Sequence, residues 1–404
     1  MRGRTEMAPK DAKKPESAPM QEERRRTNLG LPDWRELPNT IEYRSESARR
    51  VRAGFVGCGG HSYRNIYSAF HFAPVDLIAV ADVQIDRAQA YAREFGAERA
   101  YDDYREMLAK ERLDCVFVVT NYDENGRPRF PGIAMDIMRA GAHAWIEKPP
   151  AANLEEVEAM QAVERQTGRF TQVGYKKMFV PTYMKAKEIS QRPEFGGARQ
   201  LSIRYPQRMP APETRYALAQ DPLAVGFLDH VWHPFAVIQY LMGDAASMSY
   251  VWDAKSRGFF AHFAFKNGGI GSLHSSGGQA SGAPLEHVEL VGDGSHLIVD
   301  NIVKLTYYRK FQGHYYGRSG DFFTPDESAP IVWEPEMSLG VLYNKNTFLL
   351  GYANEIRAFC DSVLTNTKPD QAGLRDTHMM MQIYEAFRQP AGATIDFKVP
   401  ATVG

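Results

Sequence analysis

The strongest constraint on this chain is a rhythm that begins at Val51. Short apolar runs (VRAGFVG, DLIAVAD, DCVFVVT, AHAWIE, FTQVGY) alternate with segments of helical character (YRNIYSAFHF, RAQAYAREFG, FPGIAMDIMRAG, NLEEVEAMQAVERQTG). Runs that are apolar throughout, rather than at every second residue, belong to strands buried on both faces. Strand–helix alternation of this length therefore predicts βαβ units in a doubly wound parallel sheet. The helix boundaries are written locally. Asn153 with Glu156 three residues on forms a capping-box pattern, and Gly96, Gly141 and Gly168 stand at helix stops.

The pattern shifts after about residue 174. One helix (TYMKAKEIS) precedes a series of strand-like segments, ARQLSIRYP, SMSYVWDA, GFFAHFAF, GIGSLHSS, HVELVGD, SHLIVDN and KLTYYRK, with KNGG at 266–269 as a hairpin turn. Two helical stretches (FLLGYANEIRAFCDSVL, RDTHMMMQIYEAFR) follow. This predicts an α+β domain with a large, mainly antiparallel open sheet. A length of 404 residues fits two domains. The expected division is a polar arm over 1–50, the parallel-sheet domain over 51–173 and the α+β domain over 174–404.

Composition narrows the class of partner. A formal net charge of −1 gives no electrostatic reason to expect nucleic acid or an anionic membrane. No run approaches the roughly 20 apolar residues of a membrane span, and no apolar stretch follows RRR at 24–26. The three cysteines, Cys58, Cys115 and Cys360, are isolated from one another. They predict a reducing, cytoplasmic setting and neither a disulfide framework nor a metal site.

The first chemical constellation is the turn Gly57-Cys58-Gly59-Gly60-His61-Ser62, between the first strand and the first helix. A dinucleotide turn needs a first glycine to bend tightly and a second to let the backbone approach the pyrophosphate, whose charge rests on the helix N-terminus. Gly57 and Gly59 fill these places, Gly60 and His61 continue the turn, and Ser62 stands where a third small residue is usual. Asp82 ends the second strand. A carboxylate there accepts the ribose hydroxyls and repels a 2′-phosphate, which favours NAD, while Arg87 nearby keeps NADP open.

The second constellation is HAWIEKPPA at 143–151. In an open parallel sheet, ligands sit at the carboxyl ends of strands. A strand ending at Ile146 therefore aims Lys148 at the nicotinamide end of the cofactor, with Glu147 holding the lysine or touching the cofactor. Pro149 and Pro150 fix φ and remove two donors, which holds the turn in one shape and admits a cis bond. Downstream, GFLDHVWHPF supplies Asp229 and His233 at i, i+4, with His230 between them. A carboxylate beside an imidazole orients it for proton transfer.

The set G-x-G-G, a carboxylate ending the second strand, E-K-P after a later strand and D-x-x-x-H in a second domain resembles the Gfo/Idh/MocA oxidoreductase family, from about residue 51 onward. The resemblance implies a Rossmann domain plus a sheet domain whose open face packs in oligomers, here a homodimer or homotetramer. It also implies a catalytic group of Lys148, Asp229 and His233, and cofactor contacts from Thr120 and Asn121. Two departures lie near the implied substrate. Phe130–Pro131 replaces a family histidine after the long loop YDENGRPRFP, and Met178 replaces a family arginine, with Lys176 or Lys177 nearby.

The function this implies is NAD(P)-dependent transfer of a hydride from a hydroxyl carbon of a sugar, sugar derivative or cyclic polyol. His233 takes the proton, Asp229 orients His233, and Lys148 stabilises the oxygen. Two other readings stay open: a redox-neutral glycosidase or epimerase that recycles bound NAD, with Tyr122, Tyr175 or His230 as an added base, and a non-catalytic NAD-binding sensor. Further substrate candidates are Lys176 and Arg208, the latter within an Arg204, Arg208, Arg215 group that reads as an anion clamp or a solvated loop. Trp232 reads as a sugar-stacking ring or as core. Tyr307, Tyr308, Tyr315 and Tyr316 read as a pocket rim or subunit contact.

Overall fold

The computed structural model describes residues 49–280, 285–310, 328–334 and 345–398. The polar arm up to residue 48, and Tyr315 and Tyr316, lie outside the described residues.

Six parallel strands form the first sheet: β1 (Val51–Val56), β2 (Val75–Ala81), β3 (Arg99–Tyr101), β4 (Cys115–Val118), β5 (His143–Ile146) and β6 (Thr171–Val173). Their order is β3-β2-β1-β4-β5-β6. The chain leaves β1 to one side for β2 and returns on the other for β4, so a crevice opens beyond the carboxyl ends of β1 and β4. Every residue of β4 and β5 is buried, which is why both read as unbroken apolar runs. Asn153 caps the helix Leu154–Thr167 by accepting from the Glu156 amide, and Gly168 ends it in the left-handed region.

Two features depart from the simple reading. YRNIYSAFHF does not form a regular α-helix. It forms one π-helical segment (Ser62–Ile66) and one 3-10 segment (Tyr67–Phe72), a geometry in which Tyr67 stacks on Phe55 at 4.1 Å and on Phe95 at 4.3 Å. The late helix Tyr352–Thr365 returns to the first sheet. It buries Ile356, Phe359 and Cys360 with Phe55 and Phe117, because the outer face of that sheet needs an apolar cover that local sequence does not supply.

The second sheet has nine strands: β7 (Gln200–Tyr205), β8 (Ala245–Trp252), β9 (Phe259–Phe265), β10 (Ile270–Ser275), β11 (His287–Val291), β12 (His296–Asp300), β13 (Lys304–Tyr308), β14 (Ile331–Trp333) and β15 (Ile395–Asp396), in the order β14-β13-β12-β11-β7-β10-β9-β8-β15. Its pairs are antiparallel except β7–β10. KNGG closes the β9–β10 hairpin, with Gly268 at φ +82°. Alternation along β7 and β9 buries one face under helices Trp232–Met242 and Leu374–Ala386 and leaves the other exposed.

Candidate active site

Along the crevice between β1 and β4 lies a cavity of about 750 Å³, lined by Gly57, Gly59, Asp82, Arg87, Thr120 and Asn121 among others. Gly57 has φ +104°, and a Cβ there would sit 1.9 Å from the Val119 carbonyl oxygen, so only glycine fits. At Gly59 a Cβ would meet nothing within 4 Å, which leaves open space where a diphosphate approaches the backbone. Ser62 Oγ donates to the Gly57 carbonyl at 2.8 Å and so ties the turn to its own start. Asp82 accepts the Cys58 amide at 2.8 Å and the Gln84 amide at 2.9 Å. It therefore braces the glycine turn while lining the crevice. Thr120 Oγ1 is buried with no hydrogen-bond partner among the described residues. An orphaned hydroxyl, an unfilled glycine position and a carboxylate at the end of β2 together fit a dinucleotide, and the cavity is of the size such ligands occupy.

A second cavity of about 270 Å³ continues past Gly60, His61, Ser62, Thr120, Asn121 and Tyr122 to Glu147, Lys148 and Asp229. β5 delivers Glu147 and Lys148 to its wall, followed by a cis Lys148–Pro149 bond. Lys148 Nζ donates to Asp229 Oδ1 at 3.0 Å, and the Tyr122 hydroxyl donates to the same oxygen at 2.5 Å. Burial raises the Asp229 carboxyl, but Lys148, Tyr122 and His230 outweigh it and hold the group below the usual carboxylate range. Glu147 is likewise opposed by burial and kept ionised by His61, whose Nε2 lies 2.8 Å from Oε1, and by Lys148 and Lys176. Gly174 leaves room for this carboxylate, since a Cβ there would lie 3.2 Å from Glu147 Cδ.

Several expectations need correction. Asp229 does not orient His233. Its hydrogen bonds go to Lys148 and Tyr122, and His230 Nδ1 lies 3.3 Å from Oδ2. The i, i+4 spacing places two side chains on one face only within one helix, whereas here one helix ends at His230 and another begins at Trp232. His233 has no hydrogen-bond partner among the described residues. Its imidazolium is disfavoured first by burial, then by Lys148, Lys176, Lys177 and His230. Tyr175 and Trp232 are core, stacked on each other at 5.9 Å, with the Tyr175 hydroxyl spent on Thr377. Arg215 is buried and donates to the Tyr250 hydroxyl and the Phe387 carbonyl, while Arg208 donates to the Gly277 carbonyl, so the arginine group makes no common clamp. Tyr307 is core and Tyr308 stacks on His296. Lys176 reaches the Tyr352 hydroxyl at 3.0 Å beside the second cavity, and His230 is exposed next to Asp229.

Residues 51–175 match the family model described as oxidoreductase family, NAD-binding Rossmann fold. That stretch therefore carries the NAD-binding Rossmann fold of the Gfo/Idh/MocA oxidoreductases. Curated relatives include an uncharacterized oxidoreductase, YrbE, of Bacillus subtilis (strain 168), 22% identical over 80% of this chain and 90% of that one. Another is the scyllo-inositol 2-dehydrogenase (NAD(+)) of the same organism, 27% identical over 48% of this chain and 54% of that one, so the match spans about half its length. Among solved structures, a dehydrogenase from Chromobacterium violaceum superposes with a TM-score of 0.70 at 19% identity, covering 84% of this chain and 94% of that one. With this Rossmann match and these relatives, the chain is an NAD(P)-dependent, dehydrogenase-type oxidoreductase. No helix among the described residues is long and apolar enough to cross a membrane, and no group of side chains there is arranged to hold a metal ion.

Proposed function

We propose that the chain oxidises a secondary hydroxyl of a sugar, sugar derivative or cyclic polyol with NAD, in the cytoplasm. The observation that carries the reading is the Lys148–Asp229 contact, made by two halves of the fold across the wall of the cavity that continues the dinucleotide crevice. The turn at Gly57, Gly59, Gly60, His61 and Ser62, with Asp82, Arg87, Thr120, Asn121 and Glu147, would hold the dinucleotide. Once bound, it supplies the acceptor for the two electrons of the carbinol C–H bond.

The protein's own part is positional and electrostatic. Lys148 carries three donors and spends one on Asp229, which leaves two for a substrate oxygen. An ammonium fixed there stabilises the charge that grows on that oxygen, an effect worth several kcal/mol in a site with little water. Asp229 fixes the lysine, and neutral His233 offers a hydrogen-bond partner to a neighbouring hydroxyl. The sheet's outer face exposes Val251, Phe260, Ile270 and Val332, which supports packing against a second copy as a homodimer or homotetramer. Light scattering on the purified protein measures that state.

The test is native mass spectrometry of the purified protein for a co-purifying dinucleotide. A panel of inositols, aldoses and glycosides is then followed by NADH absorbance, with NAD and NADP compared. Net NADH formation on a polyol or sugar is the expected outcome. Glycoside cleavage at catalytic NAD without net NADH would replace this reading with the redox-neutral one.

A further inference from the structure

We propose that His61 is a positioning residue that occupies the Glu147 carboxylate and thereby leaves the Lys148 ammonium to Asp229 and the substrate oxygen. The inference rests on the reading that Lys148 serves an alcohol oxygen in the second cavity.

Two carboxylates stand within reach of one ammonium at the end of β5. Asp229 accepts from Lys148 Nζ at 3.0 Å. Glu147 precedes Lys148 in the chain, is 4% exposed, and lies in the field of its positive charge. A carboxylate buried to that degree draws in any donor it can. Yet the pairs are sorted, Lys148 with Asp229 and Glu147 with His61. Both Glu147 oxygens are engaged: Oε2 accepts the Lys148 backbone amide at 2.9 Å, and Oε1 lies 2.8 Å from His61 Nε2. Among the described residues His61 is the only side-chain donor to Glu147. Without it the carboxylate keeps a single backbone donor.

The glycine turn sets the ring for this task. His61 follows Gly60 and lines the second cavity together with Glu147, Lys148 and Asp229. Its Nδ1 lies 3.1 Å from the Asn65 side-chain nitrogen, one helical turn on. An amide nitrogen only donates, and an ionised carboxylate only accepts. Both partners therefore select one neutral tautomer, with its proton on Nε2 and directed at Glu147. Tyr352 meets the ring in a T-shaped contact at 6.1 Å, and its hydroxyl takes up Lys176, the other cation near Glu147, at 3.0 Å. With the imidazole removed, the Lys148 ammonium is the strongest donor in reach of a bare and nearly buried oxygen. Its move to Glu147 leaves Asp229 to Tyr122 and His230 and withdraws the charge from the place assigned to the substrate oxygen.

The test uses the full-length wild type, His61→Ala, His61→Gln, Glu147→Gln and the double variant His61→Ala/Glu147→Gln. A crystal structure of His61→Ala, grown without substrate, should show Lys148 Nζ on Glu147 and away from Asp229. Lys148 still on Asp229, with water in the space of the ring, overturns the proposal. In steady-state kinetics with NAD and the best polyol or sugar of the panel, His61→Ala should lower kcat by about 10- to 100-fold, as expected when one reacting group is misplaced. His61→Gln, whose amide nitrogen donates at a similar reach, should return most of that loss. A neutral side chain at position 147 does not capture the ammonium, so in the Glu147→Gln background the loss of His61 should lower kcat by less than about threefold. Equal losses in the two backgrounds mean that His61 acts without Glu147 and overturn the proposal. If His61→Ala does not fold, His61→Asn, whose amide stops short of Glu147, takes its place in both measurements. A wild type that turns over nothing on the panel removes the substrate reading, and the crystal structure alone then decides whether His61 sorts the two carboxylates.

Discussion

Two lysine–carboxylate–tyrosine groups of nearly the same composition stand in this molecule. In one, Lys177 Nζ reaches both Glu286 oxygens, at 2.8 and 2.6 Å, and the Tyr183 hydroxyl donates to Oε1 at 2.8 Å. In the other, Lys148 and Tyr122 both donate to one oxygen of Asp229. The Lys177–Glu286 side chains are 8% and 15% exposed, against 15% and 26% for Lys148–Asp229. The first group spreads its donors over both carboxylate oxygens and is sealed between a helical turn, a helix and the large sheet. The second crowds its donors onto one oxygen and turns the rest of its polar capacity toward a cavity. Residue types do not distinguish scaffold from site here. The distribution of donors and the access of a third molecule do.

The sharpest way to break the comparison is Lys148→Ala. Turnover should fall by about 10²–10³-fold, while the melting temperature moves by only a few degrees, because Asp229 keeps Tyr122 and solvent. Steady-state kinetics beside a thermal melt decides it, and turnover within a few-fold of wild type would erase the distinction. Glu286→Ala should do the opposite. It leaves a nearly buried ammonium and a buried phenol without a partner, so about 3 kcal/mol of stability is lost with NAD affinity unchanged, as read by urea unfolding and a binding titration. Tyr183→Phe is milder: about 1 kcal/mol of stability with turnover retained.

Legibility followed the same divide. β4 and β5 were readable because strands buried on both faces are apolar at every position. Gly57 was readable because a tight turn against a neighbouring strand admits no Cβ. Lys148 was readable because the carboxyl end of β5 fixes where its side chain begins. The partner of Asp229 was not. Spacing pointed to His233, but the helix stops at His230 and the carboxylate turns to a lysine and a tyrosine contributed from residues 122 and 148. Such a contact is set by how two sheets are docked, which no local period encodes. Tyr175, Trp232 and Arg215 fail for a related reason, since an aromatic or guanidinium group that suits a pocket rim also suits a core that satisfies its polar end. The return of helix Tyr352–Thr365 to the first sheet is another long-range choice.

Lys176 sharpens the comparison with the smallest expected effect, because it is a lysine with neither arrangement. Among the described residues it has no carboxylate at ion-pair distance. It donates to the Tyr352 hydroxyl, and Glu147, Glu355, Lys148 and Lys177 surround it. Burial first, then Lys177, pushes its ammonium down from 10.5 to about 8, against the pull of Glu147 and Glu355. A depressed lysine has a definite sign. Between about pH 8 and 10.5 the unfolded chain binds a proton here that the native chain has released, so this residue's contribution to stability rises with pH over that window. Buried cysteines and tyrosines with raised values act in the opposite sense at alkaline pH, so the contribution is isolated by difference. Urea unfolding of wild type and Lys176→Met from neutral pH upward should show the variant's relative stability declining by about 2 kcal/mol across the window. Parallel curves would mean that Lys176 stays charged in the native state. The difference between partnered and unpartnered lysines would then vanish.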